Sequence, residues 1–324
     1  MAKTFLIIDT SNLFFRAKFS THGNVWDATG MALHIIFNSI KSAAKKYNAD
    51  HVVFCQDAHS WRKSFDEDYK RNREAVKATL TESQREEDKI FFAAFNDFQT
   101  FINEKTNATV LQHPDCEADD MVQAWISLHP DDKHVLISGD TDFHQLLAPN
   151  VTIYDGVNKR TYTLSGVTDD KGKPVLDKKS KKPIMINPEY SLFKKIIRGD
   201  PGDNVFSAFP GVRETKILEA FQDREKKGYA WNNMMMSRWV DHNQKEVQVK
   251  DRFEHNRILI DLTAQPQVIR EYMEQTVLNV YQANKNVKNI GFGFLKFCGK
   301  FELNSLAENS KEVVEILSKR ILPE

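Results

Sequence analysis

Cysteine is scarce in this chain of 324 residues, which contains only Cys55, Cys116 and Cys298. The number is odd, the three positions are far apart, and no CxxC pair occurs. A disulfide framework or a zinc site built on cysteine is therefore not expected, and the predicted location is a reducing cytoplasm.

The chain also lacks long apolar runs and an excess of charge of either sign. No stretch approaches the roughly 18 apolar residues that a membrane span needs, so no membrane association is expected. The opening segment MAKTFLIIDTSN reaches Asp9 after a short apolar run, which is typical of a first strand and not of a secretory signal. Because 45 basic residues balance 45 acidic ones, any nucleic-acid-binding surface has to arise from segregation of charge.

Two stretches show such segregation. Residues 62–77 contain six basic and four acidic residues, and residues 171–182 contain six Lys and one Asp. The second stretch lies within a polar segment, 169–183, that we expect to be an exposed hairpin tip or loop. It is either a DNA contact or a solvated surface.

The pattern of apolar runs predicts an α/β fold. Three β-branched runs, at 4–9, 51–57 and 134–140, are typical of buried parallel strands, and helical patterns separate them. We expect a mostly parallel twisted sheet flanked by helices in residues 1–185. Residues 186–324 are predicted to form a helical second domain, including a helix in NNMMMSRWVDHN.

Each of the three main strands is followed by aspartate. Asp9 ends the first run, Asp57 ends the second, and Asp140 with Asp142 follows the third. Because the carboxyl ends of strands line the ligand crevice of an open α/β sheet, we expect these side chains to converge.

Two further acidic groups are expected at the same place. The segment CEADDM opens a helix with Glu117, Asp119 and Asp120, and GDPGDN places Asp200 and Asp203 in a loop between helices. Like charges about 4 Å apart repel by roughly 4 kcal/mol at an effective dielectric of 20. Either the pKa values of these carboxyl groups rise, or divalent cations neutralise them.

Oxygen ligands without a set of His or Cys favour Mg²⁺ or Mn²⁺ over zinc. A site this acidic can hold two ions for in-line phosphodiester displacement. Each motif also has a plain structural interpretation, as a helix cap, as acids favoured at a helix start, or as a turn. Asp140 and Asp142 fit that interpretation least well, and the motifs together favour a metal site.

Several segments, in this order, resemble the 5′ nuclease family, which includes flap endonucleases and phage 5′ exonucleases. They are IIDTSNLFFR, FCQDAHSWRKSFDEDYKRNR, CEADDMV, ISGDTDFHQLL and RGDPGDNV. The likeness covers roughly residues 4–265 and is greatest to the ribonuclease H type 5′ nucleases of T-even-type bacteriophages. It implies a PIN-like catalytic domain with a helical arch at about 58–105. It also implies a metal-dependent 5′-3′ nuclease that leaves a 5′-phosphate and a 3′-hydroxyl.

The resemblance further implies the task and the partners. The substrates would be RNA–DNA hybrid and 5′-flap or duplex DNA, cut to remove RNA primers and trim flaps in lagging-strand replication. A single-strand-binding protein and a sliding clamp are implied as partners, and a monomer is expected. Two Mg²⁺ ions are implied as cofactors, with Mn²⁺ as a substitute.

Residue roles follow from the matched positions. The implied metal carboxylates are Asp9, Asp57, Glu117, Asp119, Asp120, Asp140, Asp142, Asp200 and Asp203. Lys70 resembles the lysine that polarises the scissile phosphate, and Arg73 its basic partner at i+3 on one helical face. Together with Asp142 they form the predicted catalytic group. Expected nucleic-acid contacts are Arg62, Lys63, Tyr69, Arg71, Arg213 and Lys216, with Tyr69 stacking on the terminal base.

The second half departs from the family pattern. The family carries a helix-hairpin-helix signature, G-[IV]-G-x-[KR], after GDPGDN. Here residues 210–216 read PGVRETK, so Arg213 replaces the second Gly and Lys216 is displaced by one position. The motif is degenerate, and whether it still grips duplex DNA or binds a monovalent cation is open.

Three other functions fit parts of the pattern. A haloacid-dehalogenase phosphatase needs a second Asp two residues after the first, but position 11 is Ser11. A catalytically silent, structure-specific DNA-binding protein does not require the full set of acidic residues. A PIN-type ribonuclease acting on RNA alone does not require GDPGDN or the helical second half.

Overall fold

Short runs rich in Val, Ile, Leu and Phe form the central sheet in this computed structural model, which describes residues 2–21, 23–241 and 244–321. Their burial on both faces explains why the runs are almost continuously apolar. The strands are β1 (Thr4–Asp9), β2 (His51–Cys55), β3 (Thr109–Leu111), β4 (Lys133–Ile137), β5 (Val151–Asp155), β6 (Arg160–Thr163) and β7 (Gly166–Asp169).

The order of the sheet is β3-β2-β1-β4-β5-β6-β7. The first five strands in this order are parallel, and β6 and β7 add an antiparallel edge. The predicted fold class, a mostly parallel sheet flanked by helices with a helical C-terminal region, is confirmed. The carboxyl ends of β1, β2 and β4 lie side by side at one edge.

Helices cover both faces of this sheet. In the first half they are α1 (Thr10–Phe19), α2 (Val25–Lys46), α3 (Arg62–Phe65), α4 (Arg71–Ala78), α5 (Glu82–Lys105) and α6 (Ala118–Leu128). The longest, α5, begins at a capping box in which Thr81 and Gln84 satisfy each other's backbone N–H groups. Four phenylalanines on its inner face are buried at helical spacing, which fixes that face against the sheet.

The predicted arch region at 58–105 is only partly separate from the core. No residue of α4 is buried, and the first two turns of α5 are largely exposed. From Phe91 onward, however, α5 packs into the main hydrophobic cluster. The predicted bounds are thus too wide, because the apolar half of α5 belongs to the core.

The second half is mainly helical, as predicted. Its helices are α7 (Pro188–Arg198), α8 (Glu214–Asp223), α9 (Tyr229–Met236), α10 (Val249–Ile260), α11 (Gln267–Ala283), α12 (Ile290–Lys300), α13 (Asn304–Glu308) and α14 (Ser310–Ser318). The predicted helix in NNMMMSRWVDHN is only half right. It ends at Met236, and β8 (Arg238–Val240) then pairs with β9 (Glu246–Gln248), while residues 242–243 lie outside the described residues.

The hydrophobic cores modify the predicted division at residue 185. Helices α7 to α10 share a cluster of their own, which also includes Tyr69. In contrast, Phe294 and Leu317 pack with the α2 and α5 face of the sheet, and Met273 packs with the α6 face. The chain after Leu262 therefore returns to the α/β core, so the separate helical unit covers roughly residues 188–260.

Two remaining features bear on the sequence predictions. None of the helices in residues 2–21, 23–241 and 244–321 has the length and apolar character to cross a membrane. Cys55, Cys116 and Cys298 are buried free thiols.

Candidate metal and phosphate site

Three aspartates meet at the carboxyl edge of the sheet. Asp9 is the last residue of β1 and lies level with Cys55 of β2, while Asp57 and Asp140 follow the neighbouring strands. Burial raises the pKa of Asp9 to about 7, and the nearby charges of Asp57 and Asp140 contribute to the rise. A carboxyl group in this position is only partly ionised at neutral pH unless a cation joins it.

The start of α6 adds more acidic side chains to this edge. The carboxylate of Asp57 accepts a hydrogen bond of 2.9 Å from the backbone N–H of Ala118, which joins the end of β2 to the helix. Glu117 occupies the N-cap position. Burial raises the pKa of Asp119, and the charges of Asp9 and Glu117 raise it further. Asp119 thus faces the same cluster as the strand-end aspartates.

The turn after β4 brings the third strand-end pair into place. The carboxylate of Asp140 accepts a hydrogen bond of 2.9 Å from the N–H of Asp142, and this holds a 3₁₀ turn at Thr141–Leu146. Burial raises the pKa of Asp142 to about 6, although the ammonium group of Lys195 opposes the rise. The two aspartates therefore sit at one edge with Asp9, as the sequence predicted.

Lys70 joins this cluster to the loop that follows α7. Its ammonium group contacts Glu117 and lies 3.6 Å from Asp203. Burial lowers the pKa of Lys70, but Glu117 and Asp203 outweigh it, so the pKa is raised overall. Lys70, which was predicted to be the active-site lysine, therefore lies among the carboxylates and bridges two parts of the chain.

Lys195 makes a second bridge that sequence reasoning missed. Its ammonium group contacts Asp142 and lies 2.8 Å from Asp200. Burial lowers its pKa, but Asp142 and Asp200 raise it above the ordinary value of lysine. The only sequence signal was a cation five residues before Asp200 in the same segment, KKIIRGD.

The donor set fits hard divalent cations. In the part of the chain that the structure describes, no three acidic, His or Cys side chains surround one point as ready ligands. The two ammonium groups lie between the carboxylates instead and engage their oxygens. All the donors are oxygen atoms, and several carry raised pKa values that a cation would relieve, which suits Mg²⁺ or Mn²⁺.

Asp120 and Arg62 do not have their predicted roles. Both are buried, with 0% and 2% of their surfaces exposed. The guanidinium of Arg62 donates two bonds of 2.9 Å to Asp120, one of 3.1 Å to Glu117 and one of 2.9 Å to the carbonyl of Leu259. Asp120 has both oxygens occupied and cannot serve as a metal ligand here, and Arg62 cannot reach a phosphate from the interior.

Tyr69 is also buried, with 4% of its surface exposed, which excludes the predicted stacking on a terminal base in this conformation. Its hydroxyl lies 3.0 Å from Glu117 and 3.0 Å from Asp203. Burial raises the pKa of Tyr69, and the charge of Glu117 raises it further, so the phenol stays protonated. Tyr69 therefore positions two of the acidic side chains.

Lys70 and Arg73 converge, but not through one helical face. Lys70 precedes α4 in a left-handed conformation, with φ of 58°. Arg73 lies in the first turn of α4, and its guanidinium is 2.5 Å from Asp203, the same carboxylate that Lys70 approaches. The left-handed conformation of Lys70 changes the direction of the chain, so that Lys70 and Arg73 both point at Asp203.

The other predicted nucleic-acid contacts lie on the surface. Lys63 pairs with Glu74 at 2.9 Å, and Arg71 pairs with Asp68 at 2.9 Å. Arg213 and Lys216 are exposed at the start of α8, after Gly211 with φ of 69°. A phosphate backbone can approach all four side chains, although Lys63 and Arg71 would have to exchange their carboxylate partners for it, and their roles remain predictions.

Comparison with known proteins supports the resemblance to the 5′ nuclease family. A family model described as the 5′-3′ exonuclease, N-terminal resolvase-like domain matches residues 4–172. The chain is 27% identical over 164 residues to the flap endonuclease Xni of Shewanella loihica, covering 49% of this chain and 58% of that protein. It is 27% identical over 207 residues to the flap endonuclease of Escherichia phage T5, covering 63% and 64%. The chain thus spans about three fifths of the length of these relatives.

Solved structures from phage T5 share the fold. The T5 protein crystallised with metal ions has a TM-score of 0.59 and 23% identity, and it covers 86% of this chain and 99% of its own. The T5 flap endonuclease in a pseudo-enzyme-product complex with DNA and metal ions has a TM-score of 0.60 and 22% identity, with the same coverage. The likeness to T-even-type enzymes stays a prediction. Because the family model covers more than half of the chain and its acidic residues gather at one edge of the sheet, this protein belongs to the 5′-3′ exonuclease family.

Proposed function

We propose that this chain is a divalent-metal-dependent 5′-3′ nuclease that hydrolyses a phosphodiester bond near a 5′ end or at a 5′ flap. The observation that carries the proposal is the meeting of carboxylates from separate chain segments around two partly buried lysines. Neither a haloacid-dehalogenase phosphatase site nor a passive DNA-binding surface requires this number of converging acids. The flap endonucleases among the relatives support the same reaction.

The proposed cofactors are two Mg²⁺ ions, with Mn²⁺ as a substitute. The residues that would hold them are Asp9, Asp57, Glu117, Asp119, Asp140, Asp142, Asp200 and Asp203. When bound, such ions supply Lewis-acid polarisation of the phosphate and lower the pKa of water. T5 nuclease structures with metal ions, zinc in one of them, support a divalent cofactor, and the choice of Mg²⁺ or Mn²⁺ rests on the oxygen donors.

Lys70 and Arg73 would hold the scissile phosphate. Both cations are already directed at Asp203, at the boundary between the carboxylates and the surface. A phosphate that enters this place brings new negative charge, to which both side chains can turn without a change in the backbone. Preorganised cations of this kind stabilise the charge that develops on phosphoryl oxygens.

The finer aspects of the function follow from the resemblance. We propose that the substrates include RNA–DNA hybrid as well as 5′-flap and duplex DNA. The products would be a 5′-phosphate and a 3′-hydroxyl, and the task would be RNA primer removal and flap trimming. A single-strand-binding protein and a sliding clamp are the proposed partners of a monomeric enzyme in the cytoplasm. Lys63, Arg71, Arg213 and Lys216 would contact phosphates without reading sequence.

The test is cleavage of a 5′-labelled flap duplex and of an RNA–DNA hybrid, with Mg²⁺, Mn²⁺ or EDTA. We expect short 5′ products with either ion and none with EDTA. Asp142→Asn should abolish cleavage while leaving folding and DNA binding nearly intact, and Asp131→Asn, at an exposed aspartate, is the matched control. Wild-type turnover in Asp142→Asn would refute the metal site. Binding without cleavage in the unaltered chain would indicate a silent DNA-binding protein.

A further inference from the structure

A basic hairpin extends from the last strand of the sheet. Residues 175–177 and 182–184 run antiparallel, with the N–H of Asp177 bonded to the carbonyl of Lys182 and the N–H of Ile184 to the carbonyl of Val175. Val167 of β7 anchors both arms, because its carbonyl accepts from Val175 and its N–H donates to Ile184. The hairpin is thus ordered by backbone bonds, at the edge of the sheet opposite to β3.

The turn that leads into this hairpin is level with the carboxylates. The strand register places Asp9 beside Ser138, then Asp155, Arg160 and Asp169, in one row across the sheet. Four strand spacings separate Asp9 from Asp169, which corresponds to about 19 Å. The turn that leads into the hairpin, 169–173, therefore lies about 19 Å from the proposed active site. The arms then run antiparallel to β7, back from this edge, so the tip lysines lie farther away than about six base-pair steps at 3.4 Å each.

The charge of this region is strongly one-sided. Residues 156–184 contain eight basic and three acidic residues in a chain with no net charge. The acids are used locally: Asp169 accepts from the N–H groups of Lys171 and Lys173, Asp177 accepts from two others in the tip, and Asp170 pairs with Lys46 at 3.1 Å.

The lysines, in contrast, have no such partners. The basic side chains of the turn and tip are Lys171, Lys173, Lys178, Lys179, Lys181 and Lys182, all exposed. Across residues 2–21, 23–241 and 244–321, none of these six forms an ion pair with a carboxylate. Arg160 and exposed Lys159 lie between the carboxylates and the turn lysines, at the same edge of the sheet. The ammonium groups are thus available to an external polyanion.

We infer that the hairpin at 169–184 is a phosphate-backbone contact for duplex nucleic acid, at least about six base pairs from the cleavage point. The inference rests on the proposed nuclease function, which supplies the polyanion and its place at the carboxylates. A duplex is favoured because a regular helix presents phosphates at fixed distance from the cut. An ordered hairpin also loses little conformational entropy when it binds.

The test compares two variants with the same change of charge. The hairpin variant carries Gln at Lys178, Lys179, Lys181 and Lys182, which are exposed, so folding should be unaffected. The control variant carries Gln at Lys133, Lys288, Lys296 and Lys311, four other exposed lysines. Lys133 starts β4 at the edge of the sheet away from the carboxylates.

Each flap substrate would have one duplex arm on each side of the junction. Each arm would be about 4 or about 16 base pairs long, which corresponds to roughly 14 Å or 54 Å. Binding is measured by fluorescence anisotropy in EDTA, so that the substrates stay intact, at several salt concentrations. We expect the hairpin variant to bind one of the long-arm substrates about tenfold more weakly, with a shallower salt dependence. Short-arm binding and the control variant should match the unaltered chain.

Two outcomes would overturn the inference. One is binding of every substrate by the hairpin variant within twofold of the unaltered chain. The other is an equal loss in the control variant, which would report net charge alone. Cleavage of the short-arm flap by the unaltered chain with Mg²⁺ tests the proposed function separately. No cleavage, together with the tenfold effect on long arms, would remove the nuclease activity and leave the duplex contact standing.

Discussion

Arg62 allows a test that separates the structure from the family resemblance. In the structure, Arg62→Met removes a guanidinium that is 2% exposed and leaves Asp120, with 0% exposure, without its cation. Breaking a buried ion pair by removal of one partner costs about 3–5 kcal/mol, because the remaining charge stays desolvated. Three of the four lost hydrogen bonds go to carboxylates, which places this site toward the upper part of that range.

The assay is urea unfolding of Arg62→Met beside Lys63→Met. Lys63 is the sequence neighbour, and its pair with Glu74 is largely exposed, so its loss should change the free energy of unfolding by no more than about 0.5 kcal/mol. Because domains are stable by only about 5–15 kcal/mol, the expected loss in Arg62→Met is easily resolved. The double variant Arg62→Met with Asp120→Leu should recover part of it, since both charges are then removed.

The opposite result would support the role predicted from the resemblance. If Arg62 contacts DNA from the surface, Arg62→Met should lose less than about 1 kcal/mol of stability. Its affinity for duplex should then fall, with a salt slope about 0.9 smaller. That combination would refute the buried ion pair.

Further predictions concern the lysines at the site and one buried histidine. Lys195→Met should lower the melting temperature in EDTA but much less in Mg²⁺, because on the proposed function a bound ion would neutralise the same carboxylates; an equal loss in both buffers would contradict this. Lys70→Ala should lower the rate of cleavage far more than the affinity for DNA, and proportional losses would make Lys70 an ordinary phosphate contact. Burial lowers the pKa of His51 to about 4, so the folded state binds fewer protons than the unfolded state. The free energy of unfolding should therefore fall by up to ~3 kcal/mol between pH 6.5 and 4, and His51→Gln should remove that part of the slope. Identical slopes in the two proteins would refute it.

The fold and the strand-end acids were predictable because both depend on local pattern. A parallel strand buried on both faces has to be apolar along its length, and its carboxyl end has to meet its neighbours at one edge. These two facts predict, from the sequence alone, that Asp9, Asp57 and Asp140 lie together. The register confirms that arrangement for the strands that carry them.

The residues that sequence reasoning misplaced depend on tertiary contacts. Arg62 and Lys63 are adjacent and both basic, yet one is buried against α6 and α10 and the other pairs on the surface. In the same way, Lys195 reaches the carboxylates while Lys194 pairs with Glu214. An amphipathic pattern sets which face of a helix is buried, but not what a cation at its border meets. The partner of such a cation is determined by elements that are distant in the sequence.

The two bridging lysines explain how acidic side chains from two separately packed parts of the chain can form one site. Glu117 and Asp142 belong to the α/β core, whereas Asp200 and Asp203 follow α7, which packs in the separate helical cluster. Mutual repulsion of these carboxylates would separate the two units, and Lys70 and Lys195 each place a positive charge across that boundary. On the proposed function, these carboxylates would hold a divalent ion that supplies the same electrostatic cohesion, and the ammonium groups would then be free for an incoming phosphate. Under that proposal, the arrangement would couple metal binding to the release of the cations that a phosphodiester substrate needs.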